Sequence, residues 1–77
     1  DRSKVSAGVR AAAKGRPIEA GGREVVEELV SAVEDALRLD GRTDVTSEEV
    51  GRAVLDRLRE ADAVAAIRFA SVYLGFD

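Results

Sequence analysis

Apolar positions recur at intervals of three and four along most of the chain, which is the period of a helix and not of a strand. In the first such stretch, about Arg2 to Lys14, Val5, Val9 and Ala12 share one face, and Asp1 is placed to cap it. Gly15, with Pro17 two residues on, supplies the stop. A second stretch, about Gly22 to Leu39, carries the stripe Val26, Leu29, Val33 and Leu37, widened by Val25, Val30 and Ala36, and Gly41 ends it. The third opens at Thr46 or Ser47. Thr46 followed by Glu49 fits a capping box, and Glu48 and Glu49 suit the positive end of the helix dipole. Val50, Val54 and Leu58 form its buried stripe, with Leu55 beside it. Gly51 lies in its first turns at a cost of about 1 kcal/mol against alanine, so close packing or a ligand near the backbone is expected there. The fourth stretch, about Asp62 to Tyr73, has Val64, Ile67 and Ser71 on one face and Ala63, Ala70 and Leu74 on another. That all-round apolarity predicts a central helix covered on several sides.

Strict alternation is nearly absent, and Val45 adds at most one extended residue. The expected fold is therefore all-α or nearly so: a four-helix domain over residues 1–77, packed around Val5, Val9, Leu29, Val33, Val54, Leu58, Ile67 and Ala70. One domain is the most that 77 residues provide, and a chain of this length buries only about 60 % of its unfolded surface.

Composition removes several chemistries. With no cysteine and no histidine, disulfides, zinc ribbons and histidine-based triads are excluded from these residues, and only carboxylate sites for Mg²⁺ or Ca²⁺ stay open. No apolar run approaches the roughly 20 residues of a bilayer span, and no secretory pattern opens the chain, so a cytoplasmic location is expected. The net charge of −3 is unevenly spread. Residues 1 to 23 carry Arg2, Lys4, Arg10, Lys14, Arg16 and Arg23 against Asp1 and Glu19, a surplus of +4. Residues 24 to 49 carry nine carboxylates against Arg38 and Arg42, giving −7. A basic end that meets phosphate fits this pattern, and so do ordinary solvated helix faces.

Catalytic constellations are missing. Glu27/Glu28, Glu34/Asp35 and Glu48/Glu49 are sequence neighbours, which point about 100° apart on a helix and cannot converge on one substrate. Ser3 and Lys4 fail as a nucleophile pair for the same reason, and neither a Walker loop nor G-x-G-x-x-G is present. The chain is therefore not expected to be an enzyme. What remains is an anion site. Arg2 and Lys4 stand in one first helical turn, and Thr46 and Ser47 open another helix; if the two N-termini meet, they offer cations, hydroxyls and free N–H groups to a nucleotide. Simple capping accounts for the same residues.

The end of the chain carries the most specific string. Val64-Ala65-Ala66-Ile67-Arg68-Phe69-Ala70-Ser71-Val72-Tyr73, then Phe76-Asp77, resembles L-D-x-V-A-Y-[IL]-R-F-A-S-V-Y-R-x-F, the signature that closes the ATP-cone of NrdR-type bacterial repressors of ribonucleotide reductase genes. Lys14-Gly15-Arg16-Pro17-Ile18 is similar to that family's turn after its first helix. Val45-Thr46-Ser47-Glu48-Glu49-Val50-Gly51 resembles its V-[PT]-[ST]-x-x-[IV]-G helix start, and Asp1-Arg2-Ser3-Lys4-Val5 its F-x-R-x-K-[VIL] opening. The four matches occur in order and cover nearly the whole chain.

The resemblance implies a regulatory domain that senses ATP against dATP, with Mg²⁺ able to arrive alongside the nucleotide, and that changes the oligomeric state of a repressor. Position by position, it makes Lys4 a phosphate-binding lysine, sets Ser47 and Gly51 near base and ribose, sets Tyr73 beside the nucleotide, and makes Asp1 a polar residue at the helix start. It implies homo-oligomers, DNA binding only through a separate zinc-ribbon domain, and no membrane partner. Departures from the pattern are Ala66 for Tyr, Ala61 for Leu and Leu74 for Arg. The family's V-x-K-R-x-G strand, with its two further cations, and its zinc ribbon have no counterpart within these residues, so most of the usual small sheet is expected to be missing. Two other readings stay open: an oligomerisation module without ligand, and the allosteric cone of a reductase.

Overall fold

A computed structural model describes residues 2–39, 41 and 44–75. Four helices carry the chain: α1 (Arg2–Ala13), α2 (Gly22–Arg38), α3 (Ser47–Ala61) and α4 (Ala63–Tyr73), with a 3₁₀ turn at Pro17–Gly21 between α1 and α2. Among the described residues there is no strand, as the periodicity predicts. The stop signals act where the sequence has them. Gly15 and Gly41 both take φ of +78°, a left-handed conformation open to glycine at little cost, and α1 and α2 end just before them.

Side-chain caps set the other boundaries. The Glu49 N–H donates to Thr46 Oγ1 at 3.1 Å, which starts α3. A single residue, Asp62, separates α3 from α4. Its backbone is extended, and its Oδ1 accepts from the N–H groups of Val64 at 3.1 Å and Ala65 at 3.2 Å.

The helices form a square in section. α1 and α3 each pack against both α2 and α4, so α2 and α4 occupy opposite corners. Val5 and Val9 of α1, Val26, Val30 and Val33 of α2, Val54 and Leu58 of α3 and Phe69 of α4 fill the centre. Phe69 is fully buried and is the largest side chain there.

Three expected core positions are corrected. Ile67 is 70 % exposed, and Leu29 and Ala70 are only half-buried. In α2 the buried stripe is Val26, Val30 and Val33, while Leu29 and Leu37 flank it and Val25 reaches the surface. In α4 the buried face is Ala65, Ala66 and Phe69. The physical reason is position. A corner helix of a square touches two neighbours, so α4 keeps an open side despite being apolar all round, and it is not a central helix.

Cations of the N-terminal third staple the square. Arg2 reaches α2, where it pairs with Glu27 at 2.9 Å and with Glu34, and donates to Ser31 Oγ at 2.8 Å. Arg10 adds a contact to Glu27 at 3.6 Å. Two of the six cations of residues 1–23, Arg2 and Arg10, therefore face the carboxylates of α2.

Candidate functional site

Of the five expected site residues, Ser47, Gly51 and Tyr73 lie together around one aromatic ring. Tyr73, at the end of α4, lies between α1 and α3 at two glycines. A Cβ on Gly51 would lie 2.6 Å from Tyr73 Cε2, and one on Gly8 would lie 3.3 Å from Tyr73 Cδ1. The ring stacks on Phe69 with centroids 5.0 Å apart and planes 11° from parallel. Its hydroxyl makes a long contact, 3.5 Å, to the Ser47 carbonyl oxygen, and burial pushes the phenol pKa above its ordinary value. Tyr73, Ser47 and Gly51 are thus brought together, and the cost of Gly51 inside a helix is explained by a neighbour packed against its backbone.

Lys4 stands one turn before Gly8, and residues four apart share a helix face. It is exposed, and it makes no ion pair or hydrogen bond among the described residues. Asp1 lies outside the described residues, as do Phe76 and Asp77 of the terminal string. Gly8 belongs to the cluster although reasoning from the sequence missed it. The signal was available, since Gly8 is a helix-interior glycine four residues after Lys4, and it carries the same cost that singles out Gly51.

The N-termini of α1 and α3 do meet. Arg2 and Val5 from one, and Ser47 and Val50 from the other, line a cavity of about 100 Å³ with Val45 and Glu34. That volume holds a few waters and not a nucleotide. Arg2 is committed to Glu27, Glu34 and Ser31, so of the two cations in the first turn only Lys4 is left for an anion. Among the described residues no cluster of three or more metal-ligating side chains occurs. No described helix is long and apolar enough to cross a membrane.

The rest of the terminal string is structural. Arg68 Nη1 donates to the carbonyls of Lys14 at 2.8 Å and Ala12 at 3.4 Å, closing the C-terminal end of α1 with a positive charge. Arg16 Nε lies 2.9 and 3.2 Å from the two oxygens of Asp62, a side chain only 5 % exposed. The turn after α1 is thereby tied to the start of α4. Arg16, together with the N–H groups of Ala65 and Val64, holds the Asp62 carboxyl below its usual range. Ser71 and Val72 point outward instead.

A family model described as the ATP cone domain matches residues 1–77. The chain is 54 % identical over 76 residues to the transcriptional repressor NrdR of Acidothermus cellulolyticus, covering 99 % of this chain and 43 % of that protein. It is 54 % identical over 76 residues to the protein of the same name from Nocardioides sp., covering 99 % and 42 %. For the Bifidobacterium longum protein of that name the identity is 49 % over 75 residues, covering 97 % and 49 %. The chain spans less than half the length of these relatives.

Proposed function

The chain belongs to the ATP-cone domain family, and from that premise we propose that it is the nucleotide-sensing domain of a transcriptional repressor that controls ribonucleotide reductase genes. It binds ATP or dATP, with or without Mg²⁺, and alters the oligomeric state of the protein in response. It catalyses no reaction of its own, and DNA contact belongs to another part of the protein. The names of the relatives support the repressor role.

The observation that supports the site is the convergence of Ser47, Gly51 and Gly8 on the Tyr73 ring, with Lys4 one turn before Gly8 on α1. In this reading Lys4 meets phosphate as a point charge, and the free N–H groups of the helix starts add donors. The Ser47 hydroxyl and the bare Gly51 backbone border sugar and base. Tyr73 supplies an aromatic face, and it must shift for a ligand to reach Gly51. Asp1 completes the set at the start of α1. Calorimetry with ATP and with dATP on the protein and on its Lys4→Ala variant tests this. Equal binding by both proteins assigns the nucleotide to another site.

The competing reading is a packing module without ligand. The same two glycines favour it, because packing of Phe69, Tyr73 and Leu74 against them accounts for both. Absence of binding to either nucleotide decides for it.

A further inference from the structure

Tyr73 spans the gap between α1 and α3 edge to edge. A Cβ on Gly51 would lie 2.6 and 3.0 Å from its Cε2 and Cδ2, and one on Gly8 would lie 3.3 Å from its Cδ1. One face of the ring lies on Phe69, 11° from parallel, and the residue as a whole is half-buried. The ring therefore sits in a slot with bare backbone at both edges and an aromatic floor. Its hydroxyl reaches the Ser47 carbonyl oxygen only at 3.5 Å, the far limit of a hydrogen bond, so packing holds it there. Such walls offer shape and a flat apolar surface, which any planar aromatic ring matches.

The two ends of α4 are held differently. At the start, Asp62 caps the first turn and pairs with Arg16 at 2.9 Å. Arg68 then donates to the carbonyls of Lys14 and Ala12. At the other end, the Leu74 N–H donates to the Ala70 carbonyl at 3.2 Å, and Gly75 turns left-handed at φ +75°. The Tyr73 ring and Leu74 Cδ2, the latter 3.1 Å from a Cβ at position 51, seat this last turn on α3. Terminal turns open at far lower cost than helix interiors, and the carbonyls they release are met by water. Movement of Tyr73 is thus confined to the last turn, while the pinned start of α4 keeps the core in place.

We propose that Tyr73 is a built-in plug: in the free protein its ring occupies the slot between Gly8 and Gly51 that the base of a nucleotide takes, and binding expels the ring and unseats the last turn of α4. This rests on the nucleotide reading above and adds a regulation to its site. Phe69 makes the exchange depend on a base and not on an anion alone. It is fully buried, and withdrawing Tyr73 opens its face to water unless another planar ring covers it. Phosphate by itself leaves the plug in place. The expelled turn carries Val72 and Leu74, so occupancy of the slot is reported at the surface of α4.

Tyr73 is the one tyrosine of these 77 residues, so 3-fluorotyrosine incorporated there gives a single fluorine NMR signal at the plug. With saturating ATP or dATP the signal should move toward its position in urea-unfolded protein, and with inorganic tripolyphosphate it should stay. Calorimetry on Tyr73→Ala, its folding checked by circular dichroism, should show nucleotide bound about tenfold more tightly, because a site closed by its own side chain binds only in the fraction of molecules that are open. Binding by Tyr73→Ala that is equal or weaker overturns the plug and leaves the nucleotide reading standing. So does a fluorine signal that stays put at saturation, or one that moves as far with tripolyphosphate. If Tyr73→Ala does not fold, the fluorine signal of the unchanged protein decides. If neither protein binds nucleotide, the plug and the nucleotide reading fail together.

Discussion

The Tyr73 ring fills the space that a side chain at position 51 would need. A methyl carbon there would sit 2.6 Å from Tyr73 Cε2, so Gly51→Ala cannot be absorbed without moving the ring off Phe69. The helical gain of up to about 1 kcal/mol for Gly→Ala is outweighed by overpacking of about 1–3 kcal/mol. Urea denaturation should show Gly51→Ala destabilised and Gly51→Ala/Tyr73→Ala less sensitive to the added methyl. At Gly8, where the nearest contacts are 3.3 Å, the two effects nearly cancel and Gly8→Ala should be close to neutral.

Phe69 and Ile67 are two residues apart in α4 and differ completely in burial. Phe69→Ala should cost about 3–5 kcal/mol, enough to unfold much of a domain this small. Ile67→Ala should stay within about 0.5 kcal/mol, as for other exposed positions. Denaturation midpoints for the two variants check this, and equal losses would contradict the open side of α4.

Acid should loosen the joint between the turn after α1 and α4. Asp62 has its folded pKa depressed below 3.8, mainly by Arg16, and Glu27 below 4.5, mainly by Arg2. For a depressed carboxyl the stabilisation is fully present above the unfolded value and is lost as pH falls through the folded value. Stability should therefore be flat near neutral pH and decline once the pH drops below about 4.5. Asp62→Ala should remove the decline's Asp62 part. It should also lower Tm by roughly 4–8 °C at pH 7, the size expected for losing a helix cap in a domain of this length. Thermal melts across pH measure both.

Lys4 and Arg2 are separable. Lys4→Ala should leave Tm nearly unchanged and weaken nucleotide binding about tenfold or more, given roughly 1.5–3 kcal/mol for a charge-assisted contact. Arg2→Ala should lower Tm by an amount that shrinks as salt rises, because Glu34 loses its pair with Arg2 and Glu27 keeps only Arg10, and it should not act directly on the ligand. Melts and calorimetry on the two variants should therefore give opposite patterns.

The helices were legible because their signals are local. Gly15, Gly41 and Thr46 each act within a few residues of where they stand, and the 3.6-residue period spans every segment; the cap that Asp62 gives α4 was not read from the sequence. The buried side of α4 was not legible, because an all-apolar helix gives no direction to its own pattern; only the two neighbours that cover it decide that Phe69 faces in and Ile67 out. The ion pairs Arg16–Asp62 and Arg2–Glu34 join residues 46 and 32 positions apart, and no periodicity reports such distances. The charge imbalance between residues 1–23 and 24–49 was the only trace of Arg2–Glu34 in the sequence, and Arg16–Asp62 left none there. Gly51 announced a close approach but not its source, which is Tyr73 of the terminal string.

The one-residue junction at Asp62 acts as a phase lock. Each residue added to a helix turns its face by about 100°, so the length of this joint dictates which side of α4 meets the core. One inserted residue between Ala61 and Ala63 would swing Phe69 out of the centre and Tyr73 away from Gly51, and would leave Arg68 aimed past the end of α1. Chains built on this plan are free to lengthen the polar stretch between α2 and α3, whereas the step from α3 to α4 tolerates substitution at best and no change in count.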